Sequence, residues 1–531
     1  MQTKFNEYKK LVLNTSNEIP FTRNKNTILC TDAIKTNKKN ILKYQNINQN
    51  NLDNSKSNKL KVVFHDKTFK DDYEYINSYN DLLKILILEK NLSFIPKREK
   101  SFINSDEIIF DSDFENGNLR MVIELEELNE YDLLIRPEYG GMKTYQWFFF
   151  SVIINKPLNN GIYDNENVLK FNLINMEKDK SQFNSQCPVV MYDCSINKWS
   201  RNTYNVFCYN NGIKNEKLKN EYQSYFTLTF SFKYQYNTKY YFAYCYPYTY
   251  TQLRLYLNTL NSDIYKNYIK FGSIGLSCND NNIPYIIITN FLSESHEISK
   301  RKCILLTSRI HPGETSSSYV IQGVINFLIN PKNSISKSLR NKFIFKIVPM
   351  INVDGVIFGN YRYNLKGRDL NRMWVEPDNK FSKCVLNIKK LIRKTLKNRN
   401  IYFYCDFHGH SSKSNFFLYG CQKENVQNYE KVFMRNYQRI NNNFDINNCI
   451  NKINQSKIKT GRAILKNEFG IDLSYCLETS MTSYTSPIIS QKFFPFSIER
   501  YKKIGNDFCL SLNEITEESK IYSYLLENDN I

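Results

Sequence analysis

The sequence lacks several kinds of segment, and each absence narrows what the protein can be. No apolar run approaches the roughly 18 residues of a membrane helix, since Trp147–Ile154, the longest, has the length of a strand. The first residues, MQTKFNEYKKLVLNTS, have no apolar core of the kind a secretory signal needs. The 13 cysteines form no C-x-x-C pair and fall mostly in apolar runs. We therefore expect a soluble protein of a reducing compartment with no membrane partner.

Acidic residues are also under-represented, because 72 basic residues against 52 acidic ones leave a formal charge of +20. Such a surplus suits a polyanionic partner, which can be nucleic acid, a membrane surface or an acidic protein. Residues 1–100 hold 19 basic and 11 acidic residues, or +8 of the total. Lysine and asparagine are abundant along the whole chain, so compositional bias explains part of the charge equally well.

The length of 531 residues predicts two or three domains. Residues 1–104 form an Asn/Lys-rich N-terminal region with a linker-like stretch over 35–61 and two short apolar runs, Lys61–Phe64 and Leu82–Leu88. The second run has the pattern of a short amphipathic helix. Residues 516–531 have the composition of a C-terminal tail.

Residues 105–265 show the period of two that is typical of strands. Phe226–Phe232 alternates apolar and polar residues cleanly, which predicts a half-buried strand. Similar runs are Met121–Leu125, Tyr131–Ile135, Trp147–Ile154, Val168–Ile174, Tyr204–Cys208 and Tyr240–Cys245. Many short strands without helices between them predict an antiparallel β-sandwich domain.

Residues 270–515 instead alternate apolar runs with helical stretches. The predicted strands are Tyr285–Ile288, Cys303–Leu306, Phe343–Val348, Ile401–Phe407 and Leu473–Leu477, and the predicted helices are Ser316–Ile329, Lys383–Lys397, Tyr429–Asn441 and Ser497–Glu514. This alternation predicts an α/β domain with a mostly parallel or mixed sheet.

Histidine is rare, and its placement is informative. Of only five histidines, three lie in two segments that directly follow predicted strands, RIHPGE at 309–314 and CDFHGH at 405–410. Ligand sites in open α/β sheets lie beyond the carboxyl ends of the strands. The tight turn between His311 and Glu314 can aim both at one point, and one more histidine completes the His₂Glu set of a catalytic zinc. His408 and His410 both qualify by composition.

Three further polar residues are candidates for substrate binding or catalysis. Asn371 and Arg372 offer an amide and a planar fork suited to binding a carboxylate, although the arginine near Trp374 is equally compatible with a cation–π contact. Glu478 ends an apolar strand, where a carboxylate needs either an ion-pair partner or a function. The sequence contains no P-loop and no G-x-S-x-G elbow, so NTPase and serine-hydrolase functions have no support.

Taken in order, these segments resemble the M14 zinc carboxypeptidases and, among them, the cytosolic carboxypeptidase (tubulin deglutamylase) family. The motifs that carry the resemblance are FDSDFENGNL at 110–119, YDLLIRP at 131–137, QWFFF at 146–150, NLIN at 172–175, HPGE at 311–314, NYR at 360–362, DLNR at 369–372, DFHGHS at 406–411 and LETS at 477–480. They span some 400 residues and leave out residues 1 to about 100.

The resemblance implies a zinc-carboxypeptidase domain after the β-sandwich, and a role for each matched residue. The implied roles are zinc ligation, one ion per chain, by His311, Glu314 and His408; general base and acid catalysis by Glu478; polarisation of the scissile carbonyl by Arg362; and binding of the terminal carboxylate by Asn371 and Arg372.

Two positions depart from the family pattern, and one residue bears on specificity. Asn352–Gly355 reads NVDG instead of N-P-D-G, which should leave the ligands in place. The mobile tyrosine of digestive carboxypeptidases has no assigned counterpart, although Tyr484 is close to Glu478 in sequence. Arg462 is similar to the basic residue that receives a glutamate side chain in this family; the competing interpretation is a solvent-facing arginine in a Lys-rich loop.

The implied function is a cytosolic, microtubule-associated zinc metallocarboxypeptidase. Its expected partners are glutamylated tubulin, microtubules or other acidic protein tails, from which it removes C-terminal or side-chain glutamates, and the motifs disfavour nucleic acid. Two alternatives remain open: a non-catalytic microtubule- or polyanion-binding protein that keeps the fold, and a zinc amidohydrolase acting on a small N-acyl amino acid.

Overall fold

The contacts of the chain divide it into two compact units. The computed structural model describes residues 21–22, 60–65, 75–76, 102–103, 107–125, 129–141, 144–155, 167–177, 183, 187–214, 224–421, 429–485 and 492–528. Residues 1–247 and 356–367 form the first unit, and residues 248–355 and 368–531 form the second. The pattern of the sequence placed the change of domain near 265–270, whereas the contacts place it at Pro247 and Tyr248 and assign 356–367 to the first unit.

The first unit is built from strands. Its strands β1–β14 are Phe21–Thr22, Leu60–His65, Tyr75–Ile76, Phe102–Ile103, Ile108–Asp111, Leu119–Leu125, Glu130–Ile135, Phe149–Ile154, Val168–Met176, Val190–Asp193, Lys198–Ser200, Tyr204–Lys214, Ser224–Lys233 and Thr238–Ala243. One sheet has the order β11-β10-β14-β8-β5, and the other has the order β12-β13-β9-β7-β6-β2-β3, with β4 paired to β2.

Aromatic side chains from both sheets fill the space between them. Phe171 of β9 lies with its ring centroid 6.0 Å from that of Phe150 on β8 and 5.6 Å from that of Phe242 on β14. Phe110 of β5 reaches the opposite sheet at Tyr131, 5.7 Å away. Because alternate residues of a strand point to the same face, the period-two pattern places these rings in one core. The predicted β-sandwich is confirmed.

Two features of the sandwich differ from the sequence prediction. β7 and β9 pair in parallel, within a sheet whose other described pairs are antiparallel. β2, which contains the apolar run Lys61–Phe64, pairs with β6 and buries Val63 and Phe64, so part of the N-terminal region belongs to the sandwich. The predicted helix at Leu82–Leu88 and most of the linker-like stretch lie outside the described residues.

The second unit alternates strands and helices. Strands β15–β23 are Ile269–Leu276, Asn282–Ile288, Lys302–Ser308, Phe343–Val348, Ile401–His410, Phe416–Tyr419, Leu473–Ser480, Ser483–Thr485 and Lys492–Pro495. Helices α1–α9 are Tyr250–Leu260, Ser295–Lys300, Ser316–Ile329, Ser334–Lys342, Val353–Phe358, Lys383–Leu396, Tyr429–Ile440, Gly461–Asn467 and Ile498–Asn528, of which α5 ends in the first unit. Three-residue 3₁₀ turns occur at Leu370–Arg372, Ile446–Asn448 and Gln455–Lys457.

The sheet of this unit is mixed, as predicted. Its order is β15-β16-β18-β17-β19-β21-β20. β18, β17, β19 and β21 run parallel to one another, and β15, β16 and β20 pair antiparallel. The four parallel strands therefore end at one edge, where polar side chains from separate parts of the chain can meet.

Helix α3 is held in place by a close crossing with α9. A side-chain carbon added at Gly323 would lie 2.0 Å from the carbonyl oxygen of Lys502, and one added at Gly505 would lie 2.1 Å from that of Val320. Only glycine allows two backbones to approach this closely. Because α3 begins at Ser316, directly after the HPGE turn, this crossing also fixes the position of that turn.

The four predicted helices are all present, and only the last differs from its predicted bounds by more than one residue. The sequence patterns did not predict α2, α4, α5 and α8, nor α1, which lies in the range 105–265 assigned to the sandwich. α3 has the predicted bounds, and α6 and α7 each end one residue earlier than predicted. α9 continues to Asn528, past Glu514 and through most of the expected tail. Among the described residues, no helix combines the length and the hydropathy required to cross a bilayer.

Glu138 attaches the segment 356–367 to the first unit. Its Oε2 accepts hydrogen bonds from the backbone N–H groups of Arg362 at 2.9 Å and Tyr363 at 2.7 Å. Asn116 adds two more bonds, from its backbone N–H to the Ile357 carbonyl at 2.9 Å and from Nδ2 to the Val356 carbonyl at 2.8 Å. The segment that carries Arg362 is thus ordered by the sandwich unit.

We predict that Glu138→Ala lowers the free energy of unfolding by about 1–3 kcal/mol, because it leaves two N–H groups without their acceptor. Glu138→Gln keeps an acceptor oxygen and should lose less. Urea denaturation followed through tryptophan fluorescence measures the change, since two of the three tryptophans, Trp147 and Trp199, lie in this unit. An unchanged midpoint for Glu138→Ala would contradict this account of the segment.

Candidate metal centre and substrate site

Three parallel strands bring the predicted site residues to one edge of the second unit's sheet. β17 leads into the turn that carries His311 and Glu314, β19 carries His408, and β21 carries Glu478. His408 and Glu478 lie opposite each other in the register of β19 and β21. Parallel pairing therefore places residues from distant parts of the sequence side by side.

The turn after β17 has an unusual backbone that its own side chains stabilise. Arg309 adopts a left-handed conformation with φ of 59°, which is uncommon for a residue other than glycine. Its buried guanidinium donates from Nε to the Pro312 carbonyl at 2.7 Å and from Nη1 to Ser318 Oγ at 2.8 Å. The NVDG segment also supports this turn, since a side chain at Gly355 would lie 2.5 Å from Pro312.

The side chains of His311, Glu314 and His408 converge. Glu314 Oε1 lies 2.8 Å from Nδ1 of His311, and Oε2 lies 2.9 Å from Nδ1 of His408. The candidate ligand atoms of the three residues all lie within 4.8 Å of one another, and all three residues are buried. The backbone N–H of Gly409 also donates to Oε2 at 3.0 Å.

This arrangement fits a zinc ion. Zinc–nitrogen and zinc–oxygen bonds of 2.0–2.2 Å in a tetrahedron require ligand atoms about 3.4 Å apart, which small movements of these side chains provide. A His₂Glu set leaves the fourth position for a water or substrate, as in catalytic zinc sites. The residues present therefore match the group that the sequence motifs imply.

Two aspartates that the sequence interpretation passed over orient the imidazoles. Asp369 Oδ1 lies 3.2 Å from Nε2 of His311, and Asp406 Oδ2 lies 2.8 Å from Nε2 of His408. A carboxylate that accepts the Nε2–H group favours the tautomer in which Nδ1 is free to bind a metal, and it increases the basicity of Nδ1. The sequence could have indicated Asp406, because it precedes His408 by two residues on one strand and so lies on the same face. No local pattern connects Asp369 with His311.

The electrostatics of the cluster favour charged forms. Burial by itself raises the pKa of Glu314, but the charges and hydrogen bonds of His311 and His408 outweigh it and hold that pKa well below its usual value. Burial likewise lowers the pKa of His408, but neighbouring groups, with Cys476 and Asp406 first, raise it well above its usual value. The carboxylate is therefore ionised, as ligation requires, whereas a metal ion that binds His408 would displace the proton that the raised pKa favours on this imidazole.

His410, the other candidate ligand, is used elsewhere. Its Nδ1 accepts the backbone N–H groups of Ser412 at 3.3 Å and Lys413 at 3.1 Å, and its ring lies 5.5 Å from that of Phe417. It is therefore a loop-capping residue, separate from the converging group.

The predicted carboxylate-binding pair lies beside the metal ligands. Asn371 and Arg372 occupy the 3₁₀ turn Leu370–Arg372, which is capped by Asp369 through the N–H of Asn371 at 2.9 Å. Asn371 Nδ2 lies 3.4 Å from Nε2 of His408, and its Oδ1 accepts the N–H of Gly461 at 3.0 Å. The NH₂ group is then the part of the amide that can donate to a substrate carboxylate.

Arg462 is buried, so it is not the solvent-facing arginine of the competing interpretation. Only 6% of its surface is exposed, and it donates from Nη1 to the carbonyl of Gly420. Its guanidinium carbon also lies 5.7 Å from the centre of the Tyr419 ring. Among the described residues, Arg462 therefore contacts a carbonyl and an aromatic ring, and it forms no ion pair with a carboxylate.

Glu478 is half-buried and faces His408. The closest atoms of His408, Cys476 and Glu478 that can bind a metal lie within 4.8 Å of one another. Cys476 Sγ donates to Glu478 Oε1 at 3.6 Å. The position of the cysteines in apolar runs indicates core residues, so the sequence by itself assigns no role to Cys476.

Arg362 and Tyr484 are placed by different contacts. Arg362 belongs to the segment that the first unit holds, and its action on the scissile carbonyl stays a prediction. Tyr484 stacks on Phe494 with centroids 5.5 Å apart and lies under the guanidinium of Arg500 at 4.4 Å. Its ring is therefore part of an aromatic cluster around β22 and β23.

Comparisons with known proteins agree with this geometry. Residues 254–510 match the family model described as zinc carboxypeptidase. The chain is 33% identical to cytosolic carboxypeptidase 1 of Xenopus laevis over 439 residues, which cover 77% of this chain and 35% of that protein. It is 32% identical to cytosolic carboxypeptidase 2 of Mus musculus over 415 residues, or 76% of this chain and 46% of that protein. The chain thus spans between a third and a half of these relatives.

Solved structures show the same fold. A putative carboxypeptidase A from Shewanella denitrificans superposes with a TM-score of 0.62 at 21% identity, covering 77% of this chain and 99% of that one. A metallo-carboxypeptidase from Pseudomonas aeruginosa, solved with (2-guanidinoethylmercapto)succinic acid, gives 0.61 at 19% identity with the same coverage. Residues 254–510 therefore form a domain of the zinc carboxypeptidase family, and most of the chain's length is similar to the cytosolic carboxypeptidases.

We predict that Asp406→Asn weakens zinc binding by about 10- to 100-fold, because the charge that orients and polarises His408 is lost. Competition with a chelator of known affinity measures the zinc dissociation constant. Asp280→Asn is the matched control, since the side chain of Asp280 is 82% exposed and lies in the turn before β16, a strand that β18 and β17 separate from β19. Equal affinities for the two variants would contradict a supporting role for Asp406.

Proposed function

We propose that this protein is a zinc-dependent metallocarboxypeptidase that removes C-terminal or side-chain glutamates from acidic protein tails such as those of tubulin. One observation carries the proposal: the buried His₂Glu cluster faces the half-buried carboxylate of Glu478. A metal-binding set with a carboxylate beside it is the arrangement that metal-assisted hydrolysis requires.

The residues of the site suit hydrolysis of a peptide bond. A bound zinc ion supplies Lewis-acid polarisation and lowers the pKa of water. In this proposal, Glu478 accepts the proton of the attacking water and passes it to the leaving amine. Because Glu478 is only half-buried, water and substrate reach it from solvent.

Asn371 and Arg372 support cleavage at a chain end. Their amide and guanidinium groups suit the two oxygens of a terminal carboxylate. Arg372 donates from Nη1 to the Asn371 carbonyl at 3.0 Å, which holds the guanidinium next to the amide. A free carboxylate bound here would orient the last peptide bond towards Glu478, whereas an internal peptide bond offers no such group.

Arg462 supports an acidic substrate side chain. A buried guanidinium without a carboxylate among the described residues is costly, and a glutamate side chain would offset that cost. The N–H of Gly461, next to Arg462, bonds to Asn371, so the two groups that would bind substrate are adjacent.

The names of the relatives support a cytosolic location, because the curated proteins similar to this chain are called cytosolic carboxypeptidases. Glutamylated tubulin, microtubules and other acidic tails are the partners we propose. The formal charge of +20 supports this choice, since it favours encounter with polyanionic surfaces.

We predict that Glu478→Gln reduces glutamate release from poly-Glu peptides at least about 100-fold, because the proton acceptor is lost. Zinc content and fold should remain, and Glu376→Gln, an exposed position, should leave release unchanged. Glutamate release and zinc content are measured on the same samples.

Parent protein that holds zinc but releases no C-terminal residue from any acidic peptide contradicts the proposal. Salt-sensitive binding of that protein to tubulin tails would then favour the non-catalytic polyanion-binding alternative. Turnover of small N-acyl amino acids in place of peptides would favour an amidohydrolase.

We predict that Arg462→Gln lowers kcat/KM for peptides ending in glutamate roughly 10- to 150-fold, the value of one charge-assisted hydrogen bond. Peptides ending in glutamine should lose much less. Lys459→Gln, at an exposed neighbouring position, is the matched control. A uniform loss for both peptides would show that Arg462 does not read the acidic side chain.

A further inference from the structure

A second group of potential metal ligands overlaps the first. His408, Cys476 and Glu478 offer a nitrogen, a sulfur and an oxygen within 4.8 Å of one another. Cys476 and Glu478 are two residues apart on β21 and therefore point to the same face of the sheet, and Glu478 is opposite His408. The group thus rests on the pairing of β19 with β21.

The two groups differ in chemical softness. His311, Glu314 and His408 supply only nitrogen and oxygen, whereas the second group includes a thiol. Thiolate sulfur selects soft, thiophilic ions, and a metal ion that binds a thiol removes its proton. Cadmium is such an ion, and it would release the Cys476 proton to solvent as the sulfur–metal bond forms.

The members of this second group differ in exposure to solvent. Cys476 is 8% exposed, and Glu478 is half-buried, so an ion can enter past the Glu478 carboxylate and then be shielded at the sulfur. The contact of 3.6 Å between Cys476 Sγ and Glu478 Oε1 places both donors on one side of the ion.

We propose that His408, Cys476 and Glu478 form a competing site for thiophilic divalent cations, and that an ion bound there inhibits the enzyme. Such an ion engages Glu478, the proposed general base, and shares His408 with the zinc group. Binding at this site is independent of the proposed function; only the inhibition rests on it.

Cadmium binding to the metal-free protein tests the site directly. Cadmium–thiolate bonds absorb in the near ultraviolet, so titration with Cd²⁺ should produce a component that Cys476→Ser and Cys476→Thr both lack. Cys278→Ser is the matched control, because Cys278 lies in the turn between β15 and β16, strands that β18 and β17 separate from β19. Titrations that are the same in the parent and both Cys476 variants overturn the site.

Inhibition of the zinc-loaded protein tests the consequence. Loss of even an outer-shell partner costs about 10- to 100-fold in metal affinity, so removing the thiol should raise the inhibitory Cd²⁺ concentration at least about tenfold. Each variant is compared with its own rate without cadmium, and Cys278→Ser should behave as the parent does.

The outcomes separate the two proposals. A Cys476-dependent absorption in a protein that releases no glutamate supports the cation site and overturns the proposed function. Glutamate release with equal cadmium sensitivity in the parent and both Cys476 variants overturns the inhibitory site and leaves the proposed function standing.

Discussion

The site depends on a single buried carboxylate shared by two imidazoles. Glu314 directs one oxygen to Nδ1 of His311 and the other to Nδ1 of His408, and so connects the turn after β17 to the strand β19. Burying an unpaired carboxylate here would cost much free energy. The elements that carry His311 and His408 must therefore keep both imidazoles within hydrogen-bond distance of Glu314. The left-handed backbone at Arg309 and the glycine-dependent crossing of α3 with α9 hold the turn in the one position where both contacts form.

The groups around this carboxylate share their supports. Asp369 holds the imidazole of His311 and also caps the 3₁₀ turn that carries Asn371 and Arg372. A displacement of that turn would therefore disturb a metal ligand and the proposed carboxylate-binding pair together. Such coupling suits a site that must hold a metal and a peptide end in fixed relation, because catalysis depends on orientation.

Sequence patterns predicted the fold where the hydrophobic pattern of a segment is regular. The apolar run of β19 was recognisable as a strand because both faces of the mixed sheet are buried there. The alternating run Phe226–Phe232 is the strand β13 as predicted, but it is not half-buried, because its polar residues Thr227, Thr229 and Ser231 are buried as well. β15 was missed because it is an edge strand that contains two glycines and leaves Phe271 and Leu276 each 40% exposed, so no period appears. β11 was missed because it has only three residues.

By itself, the sequence determined the residue types of the site and the strand ends that carry them. It could not separate His408 from His410 without the family resemblance, because residues two apart on a strand share a face. The tertiary structure distinguishes them without that resemblance, since Glu314 reaches His408 while the loop after β19 uses His410. It also decided the burial of Arg462, because Gly420, whose carbonyl it bonds, is 42 residues away in sequence. Such contacts depend on strand order, which local patterns do not encode.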